Sequence, residues 1–176
     1  MFQKLASSLR SNSARGFTLI EVLIALALLS TALVPTFMLA GNSLQLAARI
    51  KNSLIASNLA QEGVEVVRSI RDSNWYTGVA FTAGLTSCEV ECTVQYNSTA
   101  LILSTYNGAP LKLDSSSGLY QYSTGDPTPF RRKIVVTPIV ATPVTQIRIQ
   151  SIVTWTEQRS GVEKSITVEY TIFNWF

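Results

Sequence analysis

From Val22 to Ala48 the chain runs for 27 residues without a charge, and the first part of that run is densely apolar. Phe17 to Gly41 is 25 residues, about 37 Å as a helix against a hydrocarbon core of about 30 Å, so it can cross a bilayer. Beyond it Leu46, Ile50 and Leu54, then Ala60, Val64, Val67 and Ile70, recur every three or four residues. Gln45, Arg49, Lys51, Asn52, Glu62, Glu65 and Arg68 take much of the remainder. The spacing predicts one helix from Phe17 to near Asp72-Ser73-Asn74, about 84 Å long, with its second half laid on another element. Pro35 removes one ladder hydrogen bond and is expected to kink it, and Gly63 is a second weak point.

After Trp75 the period changes to two. Ile147, Ile149, Val153 and Trp155 alternate with Arg148, Gln150, Thr154 and Thr156. Ile166, Val168, Tyr170 and Ile172 alternate with Ser165, Thr167, Glu169 and Thr171. Gln158 to Val162, with Ser160-Gly161, is the turn between them, which makes an antiparallel hairpin. Phe130 to Thr137 is a third strand stopped by Pro138. Glu89 to Tyr96, Leu101 to Thr105 and Leu119 to Tyr122 are weaker strand candidates between Gly, Pro and Ser breaks. The fold class is therefore α+β: a long N-terminal helix, apolar then amphipathic, packed on a small antiparallel sheet.

Composition narrows the chemistry. The 176 residues are 47% apolar and 14% charged, which excludes a disordered chain. There is no histidine and there are only two cysteines. This removes the commonest acid–base side chain and the usual zinc or iron ligands, so no metal, cofactor or catalytic residue is assigned. The formal charge of +3 sits at the front. Residues 1–16 hold Lys4, Arg10 and Arg15 and no acid, so the 160 residues after Gly16 keep 11 basic and 11 acidic side chains. The basic balance is a topology signal that keeps the leader cytoplasmic and sends the rest across the membrane.

A removable secretory signal with Ser30-Thr31-Ala32 as its cleavage site, and a plain anchor, both fit this front end. A lipoprotein signal does not, because Leu39-Ala40-Gly41 is followed by Asn42 rather than cysteine. Neither surviving reading explains Glu21, which is the only charge between Arg15 and Arg49. A carboxylate well inside a spanning helix costs roughly 2.5–3.5 kcal/mol on insertion scales, and less near its end. Either Glu21 snorkels to the headgroups from the first turns, or it has a partner.

Gly16-Phe17-Thr18-Leu19-Ile20-Glu21, after a short basic leader and before Val22-Leu23-Ile24-Ala25-Leu26, closely resembles the type IV prepilin signal. The resemblance implies that a prepilin peptidase cuts after Gly16 and methylates the new N-terminus at Phe17. It also implies that Glu21 pairs with that amine on a neighbouring subunit, as an assembly salt bridge. Ala60-Gln61-Glu62-Gly63-Val64-Glu65-Val66-Val67-Arg68, with Ile70-Arg71-Asp72 and Asn74-Trp75, is similar to the helix end of PilV-type minor pilins and general-secretion pseudopilins. The implied segments are a cleaved leader (1–16), a transmembrane and assembly helix (17–41), its amphipathic continuation (42–72) and a β head (73–176).

The head offers little chemistry. Cys88 and Cys92 lie on the exported side, where disulfides persist; the bonded state is favoured, and two independent thiols are the alternative. Glu89 and Glu91 at i, i+2 read as a solvated strand face. Arg131-Arg132-Lys133 is the only basic cluster, and three adjacent strand positions cannot all face one way. This argues against nucleic acid as a partner. Asp114-Ser115-Ser116-Ser117-Gly118 has too few carboxylates for calcium. Asn97-Ser98-Thr99 is a glycosylation sequon of a kind that occurs often by chance, and Phe173-Asn174-Trp175-Phe176 reads as the end of a packed strand.

The resemblance implies a non-enzymatic subunit of a type IV pilus-like filament, anchored in the bacterial inner membrane before assembly, serving adhesion, motility or DNA uptake. Its partners would be other pilin subunits, prepilin peptidase, the inner-membrane assembly platform and, before assembly, membrane lipid. A type II secretion pseudopilin is the alternative. An exported binding or enzyme domain on an uncleaved anchor is a further one, for which no clustered polar site is found in the sequence.

Overall fold

The computed structural model describes residues 16–85, 88, 90–98, 106–139, 143–157 and 160–174. It has one long N-terminal helix and small antiparallel sheets, an α+β pilin-like architecture. Helix α1 (Leu19–Tyr76) is followed by β1 (Lys112–Asp114), β2 (Leu119–Gln121), β3 (Asp126–Pro127), β4 (Arg131–Pro138), β5 (Gln146–Thr156) and β6 (Glu163–Phe173). Two compact units divide the chain, residues 1–46 and 47–176.

In the first unit nearly every described side chain of α1 is exposed, apolar ones included. This part of the helix is long and apolar enough to cross a membrane by length and composition.

In the second unit β4, β5 and β6 form an antiparallel sheet in that order, with Ile147 opposite both Pro138 and Ile172. A smaller sheet has the order β2-β1-β3. Alternation along β4 and β5 buries Arg132, Ile134 and Val136, then Ile147, Ile149, Ser151, Val153 and Trp155. Against them α1 buries Ala56, Leu59, Ala60, Gly63, Val64, Val66, Val67 and Ile70. The core continues through Leu85, Cys88, Cys92 and Val94 on one side. On the other it reaches Leu111 and Phe130, whose ring lies 6.2 Å from Trp155.

Five expectations change. First, Leu46, Ile50 and Leu54 do not face the sheet; they are exposed, and burial of α1 begins only at Ala56. The regular spacing is real, but no element among the described residues covers it there.

Second, Gly63 is no weak point. A methyl group there would lie 2.5 Å from Ser151 Oγ and 2.9 Å from Ile134 Cδ1, so glycine lets α1 approach β4 and β5 this closely and any larger residue would force those side chains to move.

Third, α1 runs past Asp72-Ser73-Asn74 to Tyr76. Asn74 Nδ2 donates to Ala83 O at 2.8 Å instead of capping, and the stop comes at Gly78, with φ of +70°.

Fourth, residues 90–96 make no strand, only an isolated bridge between Cys92 and Ile134. The neighbouring backbone groups are taken by side chains: Arg132 Nη2 donates to Val94 O at 2.7 Å, and Gln95 N donates to Ser98 Oγ at 3.0 Å.

Fifth, Glu91 is not part of a solvated face, because its Oε1 pairs with Lys133 Nζ at 2.6 Å. Glu89 and the Leu101–Thr105 candidate lie outside the described residues, as do most of the leader, Thr99 of the sequon, Gln158 of the turn, and Trp175 and Phe176.

Candidate processing and assembly site

At the start of α1, Gly16, Phe17 and Thr18 precede the first helical residue, Leu19. Thr18 is the helix cap. Its Oγ1 accepts from Glu21 N at 3.3 Å and its carbonyl accepts from Val22 N at 3.2 Å. Thr18-Leu19-Ile20-Glu21 has the spacing of a capping box, and Glu21 lies in the first turn, where the helix dipole favours an acid. Phe17 is 82% exposed. Among the described residues, a methyl group placed on Gly16 would meet nothing within 4 Å.

Further along, the hydroxyls satisfy themselves within the helix. Ser30 donates to Ala27 O, Thr31 to Leu28 O, Thr36 to Ala32 O and Ser43 to Leu39 O, all at 2.8–2.9 Å. Such back-bonding is what a polar side chain needs on a helix without water around it. Pro35 sits in the middle of this stretch, inside α1.

In the head, each residue of the basic cluster is engaged by its own fold, although the buried Arg132 Nε has no hydrogen-bond partner among the described residues. Arg131 Nε donates to Gly108 O at 3.0 Å, and Lys133 pairs with Glu91. Arg132 is 0% exposed; Nη1 donates to Leu59 O at 2.9 Å and lies 3.2 Å from Glu62 Oε1, while Nη2 reaches Val94 O. Tyr122 OH donates to Arg132 O at 2.8 Å. Burial pushes the Tyr122 hydroxyl above its ordinary pKa of 10.0, and the neighbouring guanidinium opposes that shift. Arg132 therefore ties α1, β4 and the segment after Cys92 together at one point.

Cys88 and Cys92 form a disulfide with Cα atoms 5.5 Å apart, both buried beside the edge of β4. The Asp114 carboxylate lies below its ordinary 3.8, held there by hydrogen bonds from Ser116 Oγ, Ser116 N and Ser117 Oγ. The Asp114–Gly118 segment is thus a self-closed turn. A groove of about 600 Å³ runs between the end of α1 and the end of β6, lined by Arg68, Arg71, Trp75, Phe81 and Phe173 among others. Among the described residues no group of three or more His, Cys, Asp or Glu side chains could hold a metal ion.

The chemistry of the described chain is thus concentrated in its first helical turn. The family of the prokaryotic N-terminal methylation motif matches residues 11–37. The chain carries the type IV prepilin signature. That signature spans the stretch containing Gly16, Phe17 and Glu21, and the head lies beyond it. No curated protein and no solved structure matches the chain. The prepilin signature points to a structural, pilin-like subunit processed by prepilin peptidase and assembled with other such subunits. Signature and apolar helix together fit an inner-membrane anchor.

Two residues that organise the head were not singled out for these roles by the sequence reading. Arg132 is in phase with Ile134 and Val136, which marks it as an inward-facing charge on β4. Gly63 falls between Ala60 and Val64 on the buried face of α1. Phase was the available signal in both cases.

Proposed function

We propose that this chain is a pilin of a type IV pilus-like filament, cut between Gly16 and Phe17, N-methylated on Phe17 and polymerised through α1. The observation that carries the proposal is the prepilin signature over residues 11–37, on a helix whose apolar surface is exposed and whose first turn holds a single acid. Residues 1–16 act as the leader, 17–41 span the membrane, 42–72 carry the helix into the head, and Pro35 bends it. Before assembly the hydrocarbon core solvates α1; in the filament, neighbouring helices replace the lipid.

Glu21 gives the process its direction. Cleavage creates an α-amine at Phe17, and a unit-charge pair about 4 Å apart gains about 4 kcal/mol at an effective dielectric of about 20, before desolvation. This is comparable to the cost of holding the carboxylate in lipid, so assembly relieves an unfavourable group rather than adding a strong bond.

Gly16 supports the same reading. Among the described residues no atom lies within 4 Å of a methyl group placed there, and its backbone lies outside the left-handed region, so the described fold makes no demand for glycine. A demand at that position comes from an enzyme closing on the peptide. Gly16→Leu is therefore expected to leave α1 intact and the precursor at full length, as read by mass on membrane extracts. Processing of this variant at the normal rate would contradict the cleavage assignment.

A further inference from the structure

We infer that Asn107-Gly108 is a self-modification site of the head, where the Asn107 side-chain amide closes on the Gly108 nitrogen, loses ammonia and opens with water to aspartyl and isoaspartyl forms. The reaction needs no enzyme and no part of the membrane-spanning stretch.

Asn107-Gly108 is the one Asn-Gly pair in the chain. Ring closure brings the backbone nitrogen of the following residue onto the side-chain carbonyl carbon, and a side chain on that residue would crowd the approach. Glycine removes the obstacle. The pair lies in an irregular stretch, 106–110, that is tied down on both sides. Tyr106 N donates to Glu91 O at 3.4 Å, and Leu111 N donates to Phe130 O at 2.8 Å. Between these ties Asn107 is exposed, so water and base reach it.

The local geometry favours closure. Ala109 N donates to Asn107 Oδ1 at 3.0 Å, which folds the side chain back along its own backbone as an Asx turn. That donor faces the oxygen on which negative charge builds as nitrogen attacks, so it acts as an oxyanion-hole donor does. Holding the side chain in this position also lowers the entropic cost of ring closure. Gly108 has φ of +74°, and among the described residues its N–H donates to no acceptor, so the nucleophile is not tied up.

The step balances without an oxidant or a cofactor. Gly108 N gives its proton to solvent base and bonds to Asn107 Cγ. The Cγ–Nδ2 bond breaks, and that nitrogen leaves as ammonia. One water then opens the cyclic imide. Opening at Cγ leaves aspartate in a normal backbone, and opening at the Asn107 backbone carbonyl routes the chain through the side chain, one methylene longer.

Arg131 meets the product. Its Nε donates to Gly108 O at 3.0 Å, and it has no ion-pair partner among the described residues. The aspartyl form sets a carboxylate one residue from that bond, whereas the longer isoaspartyl backbone shifts Gly108 O itself. Either product turns the even charge balance after Gly16 into one acid in excess.

The test follows the full chain, solubilised in detergent and held in mildly alkaline buffer, by peptide mass mapping. Asn107 is expected to give products one mass unit heavier, isoaspartate among them, at least about ten-fold faster than exposed Asn58 and Asn97, which precede Leu59 and Ser98. Isoaspartate is told from aspartate by its resistance to an aspartate-specific protease. Mildly acidic buffer should slow the conversion, because the attacking nitrogen must lose its proton. Asn107→Gln should stop it, since the longer side chain closes a less favourable ring. Aspartate without isoaspartate would mean direct hydrolysis of the amide and overturns the proposal. Conversion at Asn107 no faster than at Asn97, or conversion only after unfolding in urea, overturns it as well.

Discussion

Replacing Arg132 by alanine is expected to cost the head about 3–5 kcal/mol, the range for breaking a buried charged pair. The guanidinium is fully buried and joins three parts of the chain through Leu59 O, Val94 O and Glu62. Its loss leaves Val94 O without the guanidinium donor, a carboxylate without its cation, and a cavity between α1 and β4. Urea unfolding of the detergent-solubilised chain, followed by the fluorescence of buried Trp155, reads the effect. Arg132→Lys should recover only part of the loss, because one ammonium cannot span both carbonyls. A loss below about 1 kcal/mol would mean that Arg132 is no more than a tolerated buried charge.

Glu21→Val is expected to act in the opposite way: no effect on the head and near-complete loss of assembly. Valine removes the insertion cost, so the variant should enter the membrane at least as well as the native chain. Gly16 and Phe17 are untouched, so cutting should proceed. What disappears is the carboxylate able to pair with the new amine of a neighbour, and about 4 kcal/mol of gross attraction corresponds to roughly a thousand-fold in an assembly equilibrium, before the relieved desolvation is subtracted. Filament yield, counted by electron microscopy of sheared cells, should fall at least ten-fold. Filaments at the native level from a processed Glu21→Val chain would remove the pairing role.

The two predictions differ in how far sequence could anticipate them. Glu21 stands out because an uncharged run isolates it, and a single acid in such a run has few explanations. β5 and β6 were equally legible, since eleven-residue strands with clean alternation repeat the signal several times over. β1 and β3 were not anticipated because two or three residues cannot establish a period. The segment around Cys92 read as a strand because its inward and outward residues do alternate. Alternation records which side is buried and says nothing about whether the backbone finds a partner, and here Arg132 and Ser98 supply the partners.

Leu46, Ile50 and Leu54 show the complementary limit. Their helical spacing was read correctly, yet spacing does not reveal where the covering sheet ends. The small residues Ala56, Ala60 and Gly63 carry that information, because they set the close approach of α1 to β4 and β5. In the sequence they look like breaks in the apolar stripe.

The central claim is that the membrane form is a processed pilin-like subunit, and its N-terminus tests that claim directly. Intact mass and N-terminal sequencing of the chain from a membrane fraction should show residues 1–16 removed and N-methylated phenylalanine at position 17. A membrane form that retains the leader, or that begins at any other residue with a free amine, would contradict the account.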